Sequence, residues 1–302
     1  MSLADRLGNG TFVVTAELGP PAAPDPDAVR IAARALARCV HAANVTDNQA
    51  ATVKMSPLVS AMLMAEEGLE PILQLTGRDR NILALQSDLL GAWAVGITTV
   101  LALSGDPLSV GPYEGLATRV ADVDSEALTR LIASLNGGVM RAGEALATPT
   151  GFLIAGAANP LVDSVDRLDA KVEAGVGMLQ TNIVFDVERF ADWLTPLVDA
   201  GVTERAPLLV GVTPPRSGRM LRHLHDHIPG VEVNQATFSR MQNLDDEAAR
   251  TEGIHIAGEV IAAVRELEGV AGVHIMAPGW EADAVPRVVA AAGLAPDDYV
   301  VA

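Results

Sequence analysis

A single (β/α)8 barrel is the fold this sequence predicts, and three observations predict it. Short apolar runs alternate with helical patterns from one end of the 302 residues to the other. Eight such runs occur with no Pro/Ser-rich linker between halves, so residues 1–302 read as one barrel domain. The runs are also largely uncharged, as strands covered on both faces of a parallel sheet must be. A doubly wound open sheet is the alternative, but its glycine-rich turn is missing. The first strand is followed by Leu18-Gly19-Pro20-Pro21, and no Walker-type phosphate loop appears.

The strands are expected at 12–17, 42–46, 72–75, 98–103, 152–155, 178–183, 208–212 and 273–276. Helical patterns lie between them at 27–37, 57–67, 80–95, 125–135, 162–174, 187–200 and 218–227, with a longer one at 245–267. The first strand, FVVTAE, is aliphatic and β-branched until it ends on the carboxylate of Glu17. The unit at 78–106 is the clearest. Ile82, Leu85, Leu89 and Ala92 recur at three- and four-residue steps, giving one buried helical face. Gly96 stands where a left-handed C-cap ends that helix. The strand at 98–103 follows and runs into Ser104-Gly105-Asp106 at its C-terminal end, where parallel α/β folds build their sites. The longest irregular connection, 107–123, is expected to cover the site.

Composition narrows the function. Hydrophobic residues make up 49% of the chain, enough for a full core. The net charge of −17 argues against nucleic acid and anionic membrane as partners, since both reward basic surfaces. An anionic ligand would need a local cluster of cations, and Lys54 and Lys171 are the only lysines among many arginines. Cys39 is the sole cysteine, so neither a disulfide framework nor a thiolate metal site is expected, and a reducing cytoplasm fits. MSLADRLGNG lacks the pattern of a signal peptide. The longest uncharged run, 89–105, is broken by glycines and falls short of the about 20 residues of a bilayer span, so a soluble protein is expected.

On a barrel, the catalytic face would carry Glu17, Thr46 with Asp47 and Asn48, Gln74 with Thr76, and Ser104 with Asp106. Further round it would carry Ala157 to Asn159, Thr181 with Asn182, Thr213 and Met276. A carboxylate at the end of a buried strand is partly desolvated, which raises its pKa and suits Glu17 to donate a proton. The plainer alternative is a cap or a salt bridge at the rim. His223-Leu224-His225-Asp226-His227 suggests a metal-dependent hydrolase, the rival from another chemical class. That segment sits on a polar helix ending at Pro229-Gly230 with no strand-end histidine cluster beside it, so a solvated helix face is expected and no metal site. His274, in a strand, reads as a core histidine.

Several segments, in order, resemble one family. TAELGPP (15–21), AANVTDNQA (42–50), LEPILQLTGRDRN (69–81), LQSDLLGAWAVGITTVLALSGDP (85–107), DVDS (122–125), AGAANP (155–160), KVEAG (171–175) and EGVAGVHIMA (268–277) are similar to the methylenetetrahydrofolate reductase family. The match is nearest to its branch with RDRN and LQSDLLGA, and covers residues 15–294. The resemblance implies a flavin-bearing barrel that reduces 5,10-methylenetetrahydrofolate to 5-methyltetrahydrofolate, a step of one-carbon metabolism. FAD or FMN would carry hydride from NADH or NADPH to the reduced folate. Glu17 would protonate N10 and open the bridge to a cationic iminium, which the carboxylate then stabilises. Asp106 would face both flavin and pterin. Thr181 and Asn182 would join it at the pterin, and Thr46, Gln74, Gly105, Ala157, Asn159 and Lys171 would hold the flavin.

The resemblance also departs from the better-known branch. Gln74 replaces a histidine, Ser104 and Ala170 replace arginines, a flavin-anchoring tyrosine is lost in AGAANP, Asn182 replaces a glutamine, and Gly218 aligns with a phenylalanine. Thr46, Gly105, Asp106 and Lys171 are retained. Arg78 and Arg80 are the candidates to take over anionic contacts. A flavin-free enzyme passing hydride directly from nicotinamide to folate therefore stays open. So do a folate- or flavin-binding subunit of an electron-transfer assembly, and a homo-oligomer.

Overall fold

A computed structural model describes residues 1–294, and eight parallel strands close into a barrel in sequence order. The strands are β1 (Val13–Leu18), β2 (Ala42–Val45), β3 (Glu70–Thr76), β4 (Thr99–Leu103), β5 (Leu153–Ala158), β6 (Met178–Ile183), β7 (Leu208–Val212) and β8 (Val270–Ile275). The helices are α1 (Leu3–Gly8), α2 (Pro26–Leu36), α3 (Pro57–Glu66), α4 (Ile82–Ala94), α5 (Ser125–Asn136) and α6 (Val165–Glu173). They continue with α7 (Val187–Asp199), α8 (Val202–Arg205), α9 (Gly218–His227), α10 (Gln235–Arg240), α11 (Asp246–Val264) and α12 (Glu281–Ala291). The expected span of 1–302 ends in residues 295–302, which lie outside the described residues.

Alternation along each strand divides the apolar residues between two cores. Val13, Ala42, Ile72, Leu101, Ala155, Met178 and Leu209 fill the lower barrel interior, with Leu3 of α1 packed among them. Val14, Ala16, Leu73, Val100, Ile154 and Val210 face outward and pack in the second cluster with Val29, Leu85 and Leu128 of the surrounding helices. The same period of two makes Thr15 and Glu17 share the inward face of Val13. Interior positions thus change from aliphatic to polar toward the C-terminal ends of the strands.

Local chemistry fixes the boundaries. Asn81 accepts from the Ala84 amide at 3.0 Å, so α4 starts at Ile82 and not at 80 as expected. Gly96, at φ 85°, provides the expected left-handed residue after it. Ser164 caps α6 through the Arg167 amide at 3.3 Å, which shortens the helix expected from 162. Strand β3 begins earlier than expected because Glu70 already pairs with Ala42 of β2, and its carboxylate accepts from the Leu3 amide at 2.8 Å, tying the strand's charged end to α1. Strand β8 also begins earlier, and includes Gly272, where a Cβ would strike the backbone of Val13 on β1.

Helices α1, α8, α10 and α12 were not expected from the sequence pattern. The largest of them, α12, carries Pro286 in its interior and a pattern of small residues, which mask its buried face of Ala284, Val285, Val288 and Val289. It packs on α11 and α2 and on β1, completing the helical ring.

Candidate functional site

A cavity of about 530 Å3 opens at the C-terminal ends of the strands. Its wall contains Glu17, which is only 5% exposed. Burial, then repulsion from Glu281, pushes the Glu17 carboxyl up to about 7, against opposing hydrogen bonds from Gln49 and Gln74. The Gln49 Nε2 donates to Glu17 Oε1 at 3.4 Å. Glu281 is oriented at the start of α12 by the Gly279 amide, which donates to its Oε1 at 3.1 Å. Glu17 therefore carries its proton to near neutrality, as a proton donor must. Gln74, expected at a cofactor, lines the same cavity and hydrogen-bonds to Glu17.

Below this level lie four polar side chains whose inward direction follows from strand parity. Asn44 Nδ2 donates to Gln180 Oε1 at 2.8 Å, and Gln180 Nε2 donates back to Asn44 Oδ1 at 3.3 Å, joining β2 to β6 through the barrel interior. His274 Nδ1 lies 2.9 Å from Thr15 Oγ1, which itself donates to the Val273 carbonyl at 3.3 Å. Burial drives the His274 pKa down to about 4, so the ring is neutral. It is the buried histidine anticipated above, and it also lines the cavity.

The rim is built from three connected loops. Asp106 is exposed, and its Oδ2 accepts from the Ala50 amide at 2.7 Å. Asn48, Ala50 and Ala51 all adopt left-handed backbone, with φ of 46°, 54° and 50°. Arg78, 2% exposed, grips Asp79 with two bonds of 2.7 Å and donates to the carbonyls of Asp106 and Asn48, each at 3.1 Å. Arg80 pairs with Asp47 at 2.6 and 3.2 Å and with Asp88 at 3.0 Å. Both arginines, expected to replace lost cations, are engaged in internal pairs, and neither lines the cavity. Gly105, at φ 83°, passes so close to Arg78 and Thr76 that a Cβ would sit 2.9 Å from the Arg78 Cβ.

Toward α5 and α6 the cavity wall gains its cations. Lys171 Nζ donates to the Ala157 carbonyl at 2.6 Å and pairs with Asp163 at 3.2 Å, while Arg167 pairs with the same carboxylate at 3.0 Å. Two cations thus share the Asp163 carboxylate at this part of the wall, which Glu126 also lines. Ser104, where a cation stands in the resembling family, accepts from the Ser125 amide at 3.0 Å in the first turn of α5.

The remaining expected residues are partly engaged elsewhere. Thr46 is buried and is absent from the cavity wall. Asn159 and Asn182 line the wall, but both donate their side-chain amides to the Pro229 carbonyl, at 3.0 and 2.9 Å. Thr181 donates to the Asn182 carbonyl and accepts from the Gly211 amide, both at 2.8 Å, where the β6–β7 register shifts. Thr213 donates to the Met276 carbonyl, linking the ends of β7 and β8. The 107–123 segment packs beside the rim instead of covering it: Gly111 abuts Ala50 and Ala51, and no residue of the segment lines the cavity.

Reasoning from sequence passed over Asn44, Gln49, Asp163, Arg167 and Gln180. Asn44 and Gln180 left a readable signal, because each is an uncharged polar residue at an inward position of an apolar strand. On α9, His223 and His227 stack at 4.8 Å and His225 Nδ1 accepts from the Val233 amide at 3.2 Å. Among the described residues, no three His, Cys, Asp or Glu are grouped to hold a metal ion. Nor is any helix of theirs long and apolar enough to cross a membrane.

Comparison with known proteins agrees with this geometry. The family model described as methylenetetrahydrofolate reductase matches residues 2–293. None of the curated proteins matches the chain. Among solved structures, an uncharacterized protein from Clostridium thermocellum that binds two copies of 5-methyl-5,6,7,8-tetrahydrofolic acid superposes with a TM-score of 0.70. It is 13% identical, over 96% of this chain and 97% of that one. Ligand-free tryptophan synthase from M. tuberculosis superposes with a TM-score of 0.52 at 11% identity, over 99% of both chains. At such identities these two share the fold.

Proposed function

The chain belongs to the methylenetetrahydrofolate reductase family, and from that premise we propose that it reduces 5,10-methylenetetrahydrofolate to 5-methyltetrahydrofolate with reducing equivalents from NADH or NADPH. The observation that carries this reading is Glu17, a buried carboxyl that keeps its proton to about pH 7 inside the strand-end cavity. Protonation of N10 opens the methylene bridge to an iminium cation at N5. Glu17, once ionised, and Asp106 at the rim supply negative charge toward that cation. Gln49 and Gln74 hold the carboxyl in place through both protonation states.

The family uses a flavin, and the donor set here suits an anionic cofactor of that kind. Arg167 and Lys171, sharing Asp163, would meet its phosphate, while Gly105, Ala157 and Asn159 would border it. When bound, FAD or FMN supplies the hydride to the folate carbon. One observation favours a second reading, direct hydride transfer from nicotinamide to folate: Arg78 and Arg80, the replacements for the missing cations, are both committed to internal pairs. Either way the residues that handle the proton are the same. The enzyme would act in the cytoplasm as one catalytic domain.

Anaerobic oxidation of NADH and of NADPH with methylenetetrahydrofolate, with and without added FAD or FMN, tests both readings. Folate-dependent turnover is expected, and stimulation by flavin would assign the carrier. A rate indifferent to flavin assigns direct transfer. No folate-dependent oxidation under any of these conditions overturns the reductase.

A further inference from the structure

The Asn44–Gln180 pair is an unusual object at the base of a ligand cavity. Both side chains are almost wholly buried, at 1% and 4% exposure, and both line the cavity. A primary amide offers two N–H donors and two carbonyl lone pairs. The reciprocal bonds at 2.8 and 3.3 Å use one donor and one lone pair of each. Among the described residues, no other side-chain hydrogen bond reaches either amide. One N–H and one lone pair per residue are thus left to whatever enters the cavity. Each amide atom of the pair is met once, and the remaining N–H and lone pair of each residue at the cavity wall can take a polar partner.

We propose that the Asn44–Gln180 pair reads the 2-amino-4-oxo edge of the pterin and sets its depth beneath Glu17. This rests on the folate reading above. The pterin presents a carbonyl acceptor at C4 beside donors at N3 and the 2-amino group. The spare amide hydrogens meet the carbonyl, and the spare lone pairs meet the donors. Asn44 is in register with Glu17 on the neighbouring strand, so the edge-reading amide and the proton donor belong to adjacent strands of the same wall. Asn182 cannot serve this purpose where it lies, since its amide is committed to the Pro229 carbonyl and the Ile183 amide. The register of β6 makes Gln180, two residues earlier on the same face, the inward amide of that strand.

The test compares tetrahydrofolate with its analogue lacking the 2-amino group, by equilibrium binding to the wild-type chain, Gln180→Met and Asn44→Leu. Both substitutions preserve approximate size. The wild type should favour the parent by at least about tenfold, because a site built to meet a polar group rejects a ligand without it. Each variant should lose most of that preference while binding the analogue with little change. A purely structural pair would weaken both ligands equally and leave the preference intact, which overturns the proposal. Equal binding of the two ligands by the wild type overturns it without any variant, so a variant that fails to fold does not rescue it. Absence of tetrahydrofolate binding altogether would instead remove the folate reading.

Discussion

Replacing Glu17 by Gln should make the folded protein more stable at and above neutral pH, with a size that follows from where its proton is held. Burial and Glu281 raise the Glu17 carboxyl from 4.5 to about 7 in the folded state. Below 4.5 the group is protonated in both states, and the folded chain keeps its full stability from this source. Between 4.5 and about 7 the unfolded chain has lost the proton while the folded chain retains it, so stability falls as pH rises. At about 1.4 kcal/mol per pH unit, the loss accumulates to roughly 3 kcal/mol and then levels off. A glutamine cannot titrate, and it retains a carbonyl for Gln49 and Gln74. Urea unfolding of wild type and Glu17→Gln at pH 5, 6, 7 and 8 should show the variant gaining relative to wild type by nearly that amount up to pH 7, then no more. The neutral His274 is common to both proteins and cancels in the difference. A stability difference that stays flat across this range would refute the claim that Glu17 is protonated in the folded site, and the acid role would fall with it.

Other outcomes follow from the same contacts. Glu17→Gln should lower folate reduction by ~10²–10⁴-fold, the usual loss for a missing general acid, as measured by anaerobic turnover. In the wild type, kcat/KM should decline above about pH 7, as the folded Glu17 gives up its proton. Asp106→Asn removes negative charge beside the cation and weakens the bond to the Ala50 amide, so kcat and folate affinity should fall together in steady-state kinetics. Arg80→Met strands the buried Asp47 carboxylate and should cost on the order of 3 kcal/mol in urea unfolding. Arg34→Met, at an exposed pair with Glu67, should leave stability almost unchanged in the same measurement.

The barrel was legible because strand and helix periods are local properties of sequence. Residues 178–183 and 208–212 emerged with their boundaries unchanged, the first an uncharged run of mixed apolar and polar residues and the second an apolar run. Glu17 was legible for the same reason, as one charge closing an apolar strand. Helix α12 was not, because Pro286 interrupts its pattern and only packing on α2 and α11 shows which face is buried. The partners of Arg78 and Arg80 were also hidden. Asp79 lies inside RDRN, but Asp47, Asn48 and Asp106, which fix where the two guanidinium groups turn, belong to loops distant in sequence. Asn159 and Asn182 illustrate the point further, since their common acceptor, the Pro229 carbonyl, lies 47 residues or more away along the chain.

Barrels of this type commonly diversify because each loop after a strand can be exchanged without disturbing its neighbours. The guanidinium of Arg78 removes that freedom on one side of the mouth. It ties the loop after β2 through the Asn48 carbonyl, its own loop through Asp79, and the loop after β4 through the Asp106 carbonyl. The Ala50 amide and the Asp106 carboxylate close the triangle from the other side. These three segments would be inherited, and transplanted, as a unit. A graft that alters the loop after β4 alone inherits a buried cation cut to fit the old one, whereas the loops after β7 and β8 can be varied without touching this knot.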